Sequence, residues 1–125
     1  MDDSEILYRL INPLYFIFDS AVNRRRLSTA AFNTAKLSVL RKIIIEPEQV
    51  LANHPNFGYA TFTALDVRRI LGCLLRIEDE PEFPAGAHAV LYGNDNGARL
   101  SKSQFKRLTQ HCVLAKEPSF PDIGN

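Results

Sequence analysis

Serine stands twice in the same local setting: Arg26-Leu27-Ser28 followed by Phe32, and Arg99-Leu100-Ser101 followed by Phe105. A serine hydroxyl in that place accepts from the first, otherwise unpaired N–H groups of a helix, while the leucine before it packs on the phenylalanine one turn in. Gln104, three residues past Ser101, completes a reciprocal capping box. These marked helix starts constrain the chain more than any other local feature, and they predict a mainly helical protein.

The N-terminal segment extends that reading. Ile6, Leu7, Leu10, Ile11, Leu14, Ile17, Phe18 and Ala21 recur every three to four residues, which is one apolar stripe of a helix starting near Ser4. Pro13 falls inside the stripe and predicts a kink, because proline removes one intrahelical bond. Tyr8, Tyr15 and Val22 add a second apolar edge. A helix apolar on two sides takes two neighbours: the domain core and a second subunit, making a homodimer, or two elements of the same monomer. Tyr8, Tyr15 and Phe16 are the candidate protein-interface residues.

From Ser28 onward, Phe32, Ala35, Val39, Leu40, Ile43 and Ile44 supply the buried face of a second helix. Pro47, tolerated at a first helical position, opens a short helix from Glu46 to Ala52. Thr63 with Asp66 caps another, turning Val67, Ile70, Leu71, Leu74 and Ile77 inward and Arg68, Arg69 and Arg76 outward. Glu78 to Gly86, acidic and interrupted by two prolines, reads as an exposed linker. Ala87 to Tyr92 and Ala98 to Leu100, on either side of Gly93 to Gly97, fit a β-hairpin. The expected fold is therefore mainly α: a single helical domain over 1–115, about five helices with one short β-hairpin, and an extended or frayed tail over 116–125.

A chain of 125 residues is long enough to bury a core as one domain, and its net charge of +1 argues against a polybasic arm. Cys73 and Cys112 fall at apolar positions and read as buried, reduced thiols, which together with the acidic Met1-Asp2-Asp3-Ser4-Glu5 start points to a cytoplasmic protein. The apolar cluster from Leu14 to Phe18 is far too short to span a bilayer.

No spacing carries catalytic chemistry. His54, His88 and His111 form no HxxxH pair and no CxxC is present, so neither a metal nor a cofactor is expected. His111 and Cys112 are adjacent, and neighbours on a helix point about 100° apart, too far for the hydrogen bond a nucleophile pair needs. The reading is a non-enzymatic protein.

Basic residues remain: Arg24 to Arg26, Arg41 and Lys42, Arg68, Arg69 and Arg76, and Lys102, Lys106 and Arg107. Gathered on one surface, such groups would neutralise phosphates. The succession of elements, with an arginine-bearing helix ahead of the hairpin, resembles winged-helix regulators of the antibiotic-resistance-repressor type. That resemblance implies duplex DNA as partner, with Thr61, Thr63, Arg68, Arg69 and Arg76 on the recognition side and Arg99 beside the wing. The alternative is a helical adaptor that binds a protein partner through its aromatic N-terminal helix.

Overall fold

The computed structural model describes residues 1–119, and among them strands outnumber helices. The strands are β1 (Ile6–Ile11), β2 (Phe16–Asp19), β3 (Arg24–Leu27), β4 (Leu37–Arg41), β5 (Gly58–Thr63), β6 (Leu74–Ile77), β7 (His88–Tyr92) and β8 (Val113–Lys116). Six form one antiparallel sheet in the order β6-β7-β4-β1-β5-β8, and β2 and β3 form a separate two-stranded ribbon. The α-helices are α1 (Pro47–Leu51) and α2 (Lys102–His111). The five-helix domain and its winged-helix order are thus overturned.

The N-terminal stripe belongs to β1, a 3-10 turn Pro13–Tyr15, and β2. β1 is central, pairing with β5 from Ile6↔Thr63 to Ile11↔Gly58 and with β4 at Tyr8↔Leu40. Both of its faces are covered: Leu7 and Ile11 enter one core and Tyr8 enters another. A strand buried on two sides loses the period-two alternation that would reveal it, and an unbroken apolar run then matches a helical stripe by coincidence. Pro13 ends the strand instead of kinking a helix, with the Leu14 N–H donating to Asn12 Oδ1 at 3.0 Å.

Ser28 does cap, accepting from the Ala30 N–H at 3.2 Å, but the helix lasts only the 3-10 turn Thr29–Ala31 before the chain extends into β4. Thr63 and Asp66 exchange their expected hydrogen bonds at 3.1 and 3.3 Å. The helix they start is a single wide turn, Asp66–Ile70, in which the Leu71 N–H reaches the Asp66 carbonyl at 3.1 Å. Gly72 then takes φ +67°, accessible to glycine without a Cβ clash, and Leu74–Ile77 runs on as β6. The expected wing is absent: β7 pairs with β4 and β6, and Ala98 to Leu100 form no strand, the turn closing on one bond from the Gly93 N–H to the Ala98 carbonyl at 2.7 Å.

Two further expectations hold. Pro47 opens α1, and Ser101 and Gln104 form the reciprocal box that opens α2, at 2.9 and 3.2 Å. The expected tail over 116–125 begins one residue inside β8, and residues 120–125 lie outside the described residues.

The larger core lies on the sheet face that carries Leu7, Ile11, Val39, Phe62 and Leu91. It is covered by Phe32, by Val67 and Leu71 of the wide turn, and by Leu108 of α2. On the other face a smaller cluster joins Tyr8 and Leu40 to Val50 of α1, with Leu10, Tyr59 and Phe83 packed at its margin.

Candidate functional site

The residues expected at a DNA surface lie on several elements, and the polar groups of Thr63, Arg68 and Arg99 have partners within the chain. Thr61 faces Tyr8 and Val113 within the sheet, and the Thr63 hydroxyl is engaged with the Asp66 N–H. Arg68 donates to the Met1 carbonyl at 2.8 Å and to Asp3 at 3.2 Å, while Arg69 lies 3.4 Å from the same carboxylate. Arg76 sits on β6 at the far edge of the sheet, 5.5 Å over the Tyr92 ring, and Arg99 donates to Asn33 Oδ1 at 2.6 Å. Arg41, on the same chain-wide inventory of cations, is held by Glu5 at 2.6 Å. Asp3 and Glu5 therefore already answer three of these arginines.

Of the expected interface residues, Tyr8 is buried and its hydroxyl donates to the Ile45 carbonyl at 2.7 Å. Burial, reinforced by Glu46 and Glu48, pushes its pKa up. Tyr15 and Phe16 are partly buried against the larger core. Their neighbours are the exposed ones: Leu14 is 84% accessible, Phe18 62%, Val22 52% and Ile17 42%.

These side chains belong to the β2–β3 ribbon and its base. The ribbon pairs Phe16↔Leu27, Ile17↔Arg26, Phe18↔Arg25 and Asp19↔Arg24, so Phe18 and Ile17 stand on opposite faces. Its four-residue loop closes with the Val22 N–H on the Asp19 carbonyl at 3.3 Å and with Asn23 at φ +53°, a left-handed position that asparagine tolerates. A lone two-stranded ribbon is marginal in water. This one is tied down at its base by the Ser28 N–H on the Tyr15 carbonyl at 2.7 Å and laterally by Arg26 on Asp19 at 3.0 Å. The result is a cationic strand zipped to an apolar one, with aliphatic and aromatic surface on both sides. In the sequence the signal for this ribbon is a basic run, Arg24 to Arg26, preceded closely by Ile17, Phe18 and Val22.

A second feature lies where β1 and β4 part. Their pairing stops at Tyr8↔Leu40, although both strands run on. The Lys42 N–H on the Ile6 carbonyl, at 3.1 Å, sets a parity that turns the backbone groups of Leu10 and Ser38 into the gap. Arg9 fills part of it: Nη1 donates to the Ser38 carbonyl at 2.9 Å and Nε to the Ala31 carbonyl at 2.7 Å. Burial lowers the pKa of this guanidinium, opposed by its hydrogen bond to Tyr15. The opening leads into a cleft of about 380 Å³ bounded by Leu10, Asn12, Phe57, Glu82, Phe83 and His88, among others.

Burial pushes the Cys73 and Cys112 thiols up to about 11, so both keep their protons at neutral pH. Among the described residues no cluster of histidine, cysteine, aspartate or glutamate could hold a metal ion, and no helix is long and apolar enough to cross a membrane. No protein-family model, curated protein or solved structure matches the chain.

Proposed function

We propose that the protein is a non-catalytic cytoplasmic adaptor whose β2–β3 ribbon docks into an acidic, apolar-lined groove of a partner protein. The observation that carries this reading is the exposure of Leu14, Ile17, Phe18 and Val22 around the Arg24–Leu27 strand. Magnitudes favour a protein over a polyanion. Fully burying each of those four side chains is worth roughly 1.5–3 kcal/mol, and even half of that burial sums to about 3–6 kcal/mol. An exposed arginine pair contributes at most about 1 kcal/mol, and Arg26 is already engaged with Asp19. The free thiols suit a reducing compartment.

Nucleic acid is the second reading, favoured by the consecutive arginines of β3, since a two-stranded ribbon fits a major groove. Selection of random phage-displayed peptides on the full chain separates the two. The adaptor reading expects enriched peptides that combine acidic with apolar residues and lose binding to a Phe18→Asp variant whose circular dichroism is unchanged. Peptides that bind that variant equally well refute it. So does tight duplex-DNA binding with a log–log salt slope near about −2.7, the value for three neutralised phosphates.

A further inference from the structure

The cleft at the β1–β4 opening is independent of the ribbon's role, and its chemistry is polarised. At the β1 end stand donors. Arg9 has no carboxylate within ion-pair distance among the described residues, its partners being the Ala31 and Ser38 carbonyls and Tyr15. Asn12 has its Oδ1 occupied by the Leu14 N–H, which leaves its amide nitrogen to donate. The Leu10 and Ser38 N–H groups face the same gap by pairing parity.

Acceptors stand at the β7 end. His88 Nδ1 lies 2.6 Å from the Glu78 carbonyl, which can only accept, so Nδ1 donates there. Its ring stacks on Phe83 at 6.2 Å and 9°. Glu80 is shared with Lys36 at 3.7 Å, and Glu82 forms no ion pair among the described residues. Leu10, Leu40, Phe57 and Phe83 supply the apolar wall between.

The sheet order sets the span. β4 lies between β1 and β7, so the strands of Arg9 and His88 are two strand spacings apart, roughly 9.5 Å between backbones, with Glu80 and Glu82 on the loop that leads into β7. An α-amino acid is too short to bridge donors and acceptors so placed. An extended chain advances about 3.3–3.6 Å per residue, and with the reach of the arginine and glutamate side chains a dipeptide matches. We propose that this cleft binds a dipeptide-sized zwitterion, its carboxylate at Arg9 and Asn12, its ammonium at Glu80 and Glu82, and its apolar side chains against Phe57 and Phe83.

The test is a titration of the full chain with leucyl-leucine, followed by amide NMR shifts, beside its N-acetylated and C-amidated forms. The expected result is perturbation at Leu10, Ser38, Phe57 and His88, with each blocked form bound about tenfold more weakly, the usual scale for losing one charge-assisted hydrogen bond. Arg9 also holds the strands, so its replacement tests folding as well as binding. Glu82 is exposed, and Glu82→Gln supplies the clean variant. That variant should bind leucyl-leucine about tenfold more weakly yet bind the N-acetylated form as the parent does. Absence of shifts at millimolar dipeptide, equal binding of all three forms, or equal weakening by Glu82→Gln whether or not the amine is blocked would each overturn the assignment.

Discussion

Replacing Arg9 by methionine removes both donors that bridge the open end of the central strands. The Ser38 and Ala31 carbonyls, bonded at 2.9 and 2.7 Å in the parent, are left without them. Each carbonyl stranded in a partly buried site costs about 1–3 kcal/mol, a gross loss of roughly 2–6 kcal/mol. Methionine keeps most of the stem volume and removes a cation whose pKa is lowered by burial, which returns part of that cost. The net expectation is a loss of about 2–4 kcal/mol, a large share of the roughly 5–15 kcal/mol that holds a domain of this size together. Lysine retains the charge but has one nitrogen for two carbonyls, and should lose about half as much. Urea unfolding is the assay: at a slope of about 2 kcal/mol per molar, the methionine midpoint should fall by roughly 1–2 M with the slope unchanged. A loss under about 1 kcal/mol would show that Arg9 is dispensable to the strand opening and that the reasoning is wrong.

Two further tests address the sheet edge and the thiols. A Cβ at Gly58 would lie 2.0 Å from the Lys116 carbonyl oxygen and 2.7 Å from the Pro118 nitrogen, both main chain, so Gly58→Ala must displace β8. Overpacking of this kind costs about 1–3 kcal/mol, and hydrogen exchange should show Val113–Lys116 deprotected while β1 stays protected; undiminished protection of β8 refutes the contact. Cys73 and Cys112 have pKa values raised from 9.0 to about 11 by burial. Above pH 9 the unfolded thiols ionise while the folded ones do not. Their contribution is therefore whole below about pH 9 and disappears as the pH climbs through about 11, of order 2 kcal/mol for each thiol. Urea midpoints at pH 8 and pH 10.5 should differ, and a Cys73→Ala/Cys112→Ala variant should narrow that difference; an equal drop in the variant assigns it to other groups.

Sequence reasoning succeeded where a side chain talks to its own backbone. Ser101 with Gln104, Pro47 and the Thr63–Asp66 exchange depend on a few consecutive residues, and all three occur as read. It failed on how long each helix runs, because that is decided by partners remote in the chain. Ile6 to Ile11 became a strand through β4 and β5, and nothing within the segment announces either partner. One local sign is present: Ile6 to Ile11 is apolar at consecutive positions apart from Arg9, as a strand covered on both faces requires, whereas a helical stripe needs apolar residues only every third or fourth position. The exposed ribbon is half legible, since its arginines stand out in the sequence while the helical spacing of Ile17 and Phe18 hides the strand opposite them. The cleft was not legible at all, being assembled from β1, β4, the approach to β5 and the β6–β7 loop.

The central position of β1 has a consequence for biosynthesis. Its neighbours begin only at Leu37 and Gly58, so the strand that will organise the sheet leaves the ribosome ahead of both and waits for either partner. At about 5–20 residues per second, that interval lasts on the order of seconds. During it a β-prone apolar segment is accessible to other nascent chains, and the cost of closing those long loops must be met before any pairing rewards it. Yield from a cell-free system should accordingly depend on how soon a chaperone that binds nascent chains meets Ile6–Ile11.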